Sequence, residues 1–307
     1  MKKLRFIDLF CGIGGFRIAL DDACRKNEIT PICVFSSDID VYCQKSYELN
    51  FGHKPAGDIQ KINEKDIPDH DILLAGFPCQ PFSIIGNRKG FEDTRGTLFY
   101  DIARILKEKR PQAFVLENVK QLVGHNKGQT LNIIIKTLQE LGYHTRYKVL
   151  NALDYGLPQK RERIIIVGHS NYTDFAFPTP FKPFKPLEEI IEKEVDKKHF
   201  ASEYIVTKRK SQHESAYKLA IWHENKSGAI SSYPYSCALR AGASHNYLLV
   251  NGERRLTPRE LFRLQGFPAS YKITGSYTQI RKQTGNAAPV NLILATLLQL
   301  IPTLKLQ

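Results

Sequence analysis

Residues 4–16 read LRFIDLFCGIGGF, and this stretch decides the fold. Leu4 to Phe10 is short and largely apolar, as a buried strand is. Glycines follow at 12, 14 and 15, and Phe16, Leu20 and Ala23 then recur at helical spacing. A glycine loop between strand and helix lets backbone amides approach a ligand closely. A dinucleotide fingerprint would need its third glycine where Arg17 stands, and no Gly-Lys-Ser/Thr follows to make a P-loop. A nicotinamide oxidoreductase is therefore disfavoured.

The pattern continues outward. Strand candidates are Ile32 to Ser36, Ile72 to Gly76, Ala113 to Leu116, Thr145 to Leu150 and Ile164 to Gly168. Between them, Leu98, Ile102, Ile105 and Leu106 share one helical face, and Leu131, Ile134, Leu138 and Leu141 share another, which Gly142 ends. Alternating strands and helices imply an α/β fold, a parallel sheet with helices on both faces. The alternation stops near Ser170. Residues 177–186, FPTPFKPFKP, are too proline-rich for a regular element and read as a linker. The irregular stretch beyond them predicts a smaller second domain at 182–271. An apolar helix from Pro289 to Leu300 is expected to pack back on the first domain, which then comprises 1–181 and 272–307.

Composition narrows the class. The chain has 307 residues, 42% hydrophobic and 24% charged, as soluble globular proteins do. Its apolar runs fall short of the ~20 residues of a membrane span, and its start lacks the long apolar region of a signal peptide. A cytoplasmic protein with no membrane partner is expected. The six cysteines show no Cys-x-x-Cys pair, so neither a metal site nor a disulfide framework is expected. The net charge of +13 suits a phosphate polymer as partner, although a lysine-rich solvated surface would give the same number.

Four places carry chemistry. Asp38, about 20 residues past the glycines, suits a ribose hydroxyl pair, and Asp58 suits an adenine amino group. An adenosine-type ligand without a pyrophosphate fits both, which points to S-adenosyl-L-methionine; a tight turn with solvated carboxylates is the plainer alternative. Cys79, in GFPCQPFS, follows a strand on a turn stiffened by Pro78 and Pro81. A thiol there serves as a nucleophile if its surroundings favour thiolate, and as packing otherwise. Glu117 ends the strand AFVLENV at the same expected edge. In QKRER, Arg161 and Arg163 alternate onto one side of an extended entry to the next strand.

Together the stretches FIDLFCGIGGF, DID, GDI, GFPCQPFS, LENV, QKRERIIIVG, RLTPRELFRLQGFP and QTGNAAPVN resemble the C5-cytosine DNA methyltransferases, closely the small bacterial restriction-modification type. They span residues 6 to 291 in family order. The resemblance implies a Rossmann-like S-adenosylmethionine-dependent methyltransferase domain with a mixed, mostly parallel sheet, and a target-recognition domain at 182–271. Its implied reaction is methyl transfer to C5 of a flipped cytosine in a specific duplex DNA sequence, leaving S-adenosyl-L-homocysteine and needing no metal. Cys79 would add to C6, Glu117 would bond the N3 edge, and Arg161, with Arg163 behind it, would hold the O2 side. The implied cofactor contacts are Phe10, Gly12, Gly14, Asp38, Ile39, Asp58, Pro78 and Asn286. Ile39 stands where an aromatic residue is frequent in the family.

Residues 80–100 resemble the loop that closes over the flipped base, with Gln80, Ser83, Arg88, Lys89 and Arg95 as DNA contacts. Gln159 joins them, and Arg240, His245 and Asn246 are candidate base readers, since Arg suits guanine and Asn adenine. The implied partners are double-stranded DNA and a cognate restriction endonuclease acting on the same sequence without a stable complex; the chain would act as a monomer. A tRNA cytosine methyltransferase and a catalytically silent DNA-binding homologue are the alternatives. The silent homologue would be expected to lose Cys79, Glu117 or Arg161, and all three are present.

Overall fold

The computed structural model describes residues 2–78, 97–181 and 183–306. They form two compact units. The first comprises Met1–Leu150, Glu162–Thr179 and Leu292–Gln307; the second comprises Asn151–Arg161 and Pro180–Asn291. The second unit thus begins two residues before the expected boundary. It also takes in a short early segment and the helix that ends at Asn286.

The first unit is built on the opening stretch. Strand β1 (Lys3–Leu9) leads through the glycine loop into helix α1 (Gly15–Lys26), whose buried residues include Phe16, Ala19, Leu20 and Ala23. Strand β2 (Thr30–Ser37), helix α2 (Val41–Phe51) and strand β3 (Ile72–Gly76) follow. Helix α3 (Leu98–Lys109) starts where the Thr97 hydroxyl caps the Tyr100 amide. After it come β4 (Ala113–Val119), α4 (Gln129–Glu140) and β5 (His144–Asn151). Gly142 stops α4 as expected, with φ at +89°.

The two-residue strand β6 (Gln159–Lys160) belongs to the second unit, and β7 (Glu162–His169) returns to the first. Six strands form one sheet in the order β2-β1-β3-β4-β7-β5. Strands β1, β2, β3 and β4 pair in parallel. Strand β7 makes the sheet mixed, as the resemblance implied: it pairs antiparallel with β4, Val119 opposite Arg163 and Glu117 opposite Ile165. On one face Ile7, Leu9, Leu73, Leu116 and Ile164 pack with Ile102, Ile105, Ile134 and Leu138 of α3 and α4. On the other, Phe6 and Asp8 meet residues of α1 and α2.

The second unit contains helix α5 (Glu203–Gln212), strands β8 (Ile221–Glu224) and β9 (Ile230–Tyr233), the short β10 (Ser236–Cys237) and β11 (Leu248–Val250). Strands β11, β8 and β9 make a small antiparallel sheet, and β10 pairs in parallel with β6. Helices α6 (Pro258–Leu264) and α7 (Tyr277–Asn286) each open with a capping box, Thr257 with Glu260 and Ser276 with Gln279. Helix α8 (Val290–Leu300) follows, and from Leu292 onward the chain belongs to the first unit. The run Tyr277–Thr303 is apolar enough to cross a membrane by length and composition, with mean hydropathy 1.3, but 72% of that window is buried. That is the pattern of a core helix.

Candidate active site

Parallel strands β1, β3 and β4 bring their carboxyl ends to one edge, where Gly76 lies beside Glu117. Open α/β sheets bind ligands at such an edge. Reversal of β7 carries its first residues there too. Arg163 Nε lies 2.7 Å from Glu117 Oε1, with both side chains about nine-tenths buried (11% and 9% exposed). A Cβ at Gly76 would sit 3.5 Å from Glu117 Oε2, so the glycine leaves that oxygen room.

Asn118, also buried, donates from Nδ2 to the Phe77 carbonyl at 2.9 Å, and its Oδ1 accepts the Val119 amide at 2.8 Å. It holds the backbone two residues before Cys79. The sequence reading took LENV for its glutamate and passed over this neighbour. Cys79, Gln80, Ser83, Arg88, Lys89 and Arg95 lie outside the described residues.

The glycine loop is left-handed at Phe10 (φ 52°), Gly12 (54°) and Gly14 (83°). Such backbone in a non-glycine residue clusters at functional sites. The Cys11 amide ties the loop to the Ser37 carbonyl at 3.0 Å. Asp38 Oδ2 accepts the Gly12 amide at 2.7 Å and Oδ1 accepts the Asp40 amide at 2.8 Å. Asp58 accepts the Gln60 amide at 3.1 Å. Ile39 is 72% exposed beside Asp38, and Pro78 is exposed. A Cβ at Gly12 would meet only the Phe10 carbonyl, at 4.0 Å, so the loop presents bare backbone. Bare amide backbone, a carboxylate and an exposed apolar side chain fit an adenosine moiety.

Arg17, at the third-glycine position, lies 5.3 Å over the Phe6 ring and 5.0 Å over Phe51. Its guanidinium faces the buried Asp8, whose carboxyl burial pushes up to about 8 while Arg17 and Tyr47 oppose the shift. Burial also pushes the Cys11 thiol well above its ordinary range, as it does those of Cys24, Cys33 and, less, Cys237. These thiols are packing residues.

The two arginines of QKRER divide differently from expectation. Arg161, 1% exposed, belongs to the second unit. Its Nη1 donates to the Leu239 carbonyl at 2.9 Å, and its Nη2 to those of Gly285 and Ala287 at 2.9 and 2.8 Å. Arg161 lies between β6 and β7, outside both strands, so the period-two rule does not bind it to the side of Arg163. Gln159, expected against DNA, is fully buried: Nε2 donates to the Leu264 carbonyl at 2.8 Å and Oε1 accepts the Leu239 amide at 2.9 Å. An amide with both ends bonded to protein backbone does not contact a duplex.

Of the base-reader candidates, Arg240 is exposed, with its guanidinium 4.8 Å over the Tyr247 ring. His245 is exposed, 6.0 Å from the Tyr277 ring. Asn246 is half-buried and its Oδ1 has no hydrogen-bond partner among the described residues. Asn286 is exposed at the end of α7. No group of three or more His, Cys, Asp or Glu among the described residues is placed to hold a metal.

The family model of the C-5 cytosine-specific DNA methylases matches residues 4–301. The type II methyltransferase M.NgoBI of Neisseria gonorrhoeae is 55% identical over 293 residues, covering 94% of this chain and 90% of its own. The type II methyltransferase M.HaeII of Haemophilus aegyptius is 51% identical over 310 residues, covering 100% and 95%. Among solved structures, the S. pombe Dnmt2 methyltransferase superposes with a TM-score of 0.75 at 24% identity, covering 97% of this chain and 99% of its own, a likeness of fold.

Proposed function

The chain belongs to the C-5 cytosine-specific DNA methylase family and is a DNA cytosine-5 methyltransferase, and from that premise we propose that Cys79 is its nucleophile, that Glu117 and Arg163 act on the cytosine ring, and that S-adenosyl-L-methionine is the methyl donor. The observation that carries this reading is the Glu117–Arg163 pair at the sheet edge, beside the turn that leads into Cys79.

Carbon 5 of cytosine is a poor nucleophile. The Cys79 thiolate bonds to C6 and pushes electron density onto C5, while the Glu117 carboxylate bonds the N3 and amino edge and favours a proton at N3, taken up from solvent as the thiolate adds and released when it leaves. When bound, S-adenosyl-L-methionine supplies an electrophilic methyl group on a sulfonium. Loss of the C5 proton re-forms the C5–C6 double bond and expels the Cys79 thiolate. Arg163 keeps Glu117 oriented and places a fixed positive charge where the ring oxygen gathers density. Arg161 supports the second unit from within.

Phe10, Gly12, Gly14, Asp38, Ile39, Asp58, Pro78 and Asn286 are proposed to hold the donor. Because the target carbon is hidden in the duplex, the cytosine must leave the stack, and residues 80–100 are assigned to stabilise it there. Residues 182–271 carry target recognition, with Arg240, His245 and Asn246 as readers. The naming of the relatives as type II methyltransferases supports a modification role; an endonuclease of the same target, a cytoplasmic location and a monomeric state are part of the same proposal.

The test is single-base methylation sequencing of DNA from a host expressing the chain, beside a Cys79→Ser control. A short motif gaining 5-methylcytosine only with the intact cysteine is expected. Equal methylation with Cys79→Ser would remove the thiolate mechanism.

A further inference from the structure

The loop 238–246 is tied at several backbone groups as well as through its side chains. Gln159 Oε1 accepts the Leu239 amide at 2.9 Å, and Arg161 Nη1 donates to the Leu239 carbonyl at 2.9 Å. The Tyr247 hydroxyl accepts the Arg240 amide at 2.9 Å. Farther along, Arg281 Nη2, from α7, donates to the carbonyls of Ala243 and Ser244 at 2.7 and 2.8 Å. One turn on, a Cβ at Gly285 would lie 2.3 Å from the Ala241 nitrogen, so helix and loop meet backbone to backbone. The side chains of Arg240 and His245 are left exposed by this arrangement.

Arg281 is 8% exposed, and no carboxylate pairs with it among the described residues. Its donors serve the loop. Without them the Ala243 carbonyl would lose this donor and the Ser244 carbonyl would keep only the Tyr247 amide, at 3.5 Å, so the tip of the loop would be held more loosely.

We propose that Arg281 is a specificity-positioning residue: by holding the carbonyls of Ala243 and Ser244 it fixes the path of the loop that presents Arg240, His245 and Asn246, and so sets how strictly the target sequence is read. This rests on the assignment of that loop to DNA. A rigid loop is ordered before binding and cannot shift to accommodate a wrong base pair, whereas a loosened one can re-pair its donors.

The experiment compares wild type, Arg281→Met and Arg281→Lys on the cognate duplex, once sequencing has defined it, and on duplexes with one substituted base pair. With Arg281→Met, KM for the cognate duplex should rise more than kcat falls, and the ratio of cognate to substituted-site kcat/KM should narrow about tenfold, within the range one mismatched pair contributes. Arg281→Lys should recover most of the discrimination, because one ammonium can donate to both carbonyls. If Arg281→Met melts below the assay temperature, Arg281→Gln serves in its place.

A variant as strict as wild type, or one that loses kcat equally on every duplex, overturns the inference and leaves the function standing. A wild-type chain that methylates no duplex overturns the function and the inference with it.

Discussion

Arg163 reaches Glu117 across an antiparallel strand pair, Nε to Oε1 at 2.7 Å, in a site where both side chains are nearly out of water. Low local polarity strengthens such a pair and makes its rupture costly. Replacing Arg163 by Met should lower kcat by roughly 10²-fold or more, the scale of one lost transition-state donor. Binding of the methyl donor, measured by calorimetry, should change little. A kcat within a few-fold of wild type would remove Arg163 from the chemistry.

Arg161 should behave otherwise. Arg161→Met strips three buried carbonyls of their donor at once. At ~1–3 kcal/mol for each buried group left unsatisfied, the loss is roughly 3 kcal/mol or more. Urea unfolding should show it as a lower midpoint. Any fall in activity should follow the folded fraction.

Gly14 tests the loop. Its φ is +83°, and a Cβ there would come within 2.3 Å of the Phe51 ring, which already meets Arg17 and Tyr47. Gly14→Ala should cost about 1–3 kcal/mol in stability and weaken methyl-donor binding. Gly57→Ala, where a Cβ meets nothing within 4 Å, is the neutral control.

Two buried groups shape stability against pH with opposite signs. Burial lowers His70 from 6.5 to about 4, and its Nδ1 stays on the Pro68 carbonyl at 2.8 Å. A depressed base contributes stability that is complete above 6.5 and lost as pH falls toward 4. Asp8 is raised from 3.8 to about 8, chiefly by burial, with Arg17 and Tyr47 opposing and Asp38 and Asp21 adding to the rise. A raised acid contributes stability that is complete below 3.8 and lost as pH rises toward 8. Between about 4 and 6.5 the two slopes oppose each other, each at most about 1.4 kcal/mol per pH unit. From 6.5 to 8 the Asp8 slope stands alone. Urea unfolding across this range should show Asp8→Asn abolishing the upper decline, and His70→Leu exposing a decline that begins near pH 4. Parallel curves for all three proteins would contradict both assignments.

Much of the molecule was legible without coordinates. LRFIDLFCGIGGF becomes β1, a left-handed glycine loop and α1 because its signals are local: apolar run, glycine conformation and helical period. Ile72 to Gly76 is a strand over those same residues, and Gly142 ends α4, for the same reason. Arg17 at the third-glycine position was legible as a departure from dinucleotide binding. Its structural place, over Phe6 and Phe51, explains why an arginine stands there.

The residues proposed to carry chemistry, and their order along the chain, were thus legible in the sequence alone: glycine loop, Asp38, Cys79, Glu117 and the QKRER arginines. Tertiary structure decided which of them meet. Period-two alternation puts Arg161 and Arg163 on one side of an ideal strand, so local reasoning cannot choose between them. The choice comes from the break at Arg161 and from the reversal of β7 against β4, which depends on pairing between segments more than forty residues apart. Gln159 and Arg281 found their partners in the same non-local way. Nothing in their local sequence names those partners, and only the folded path of the loop at 238–246 brings its carbonyls and amides to them.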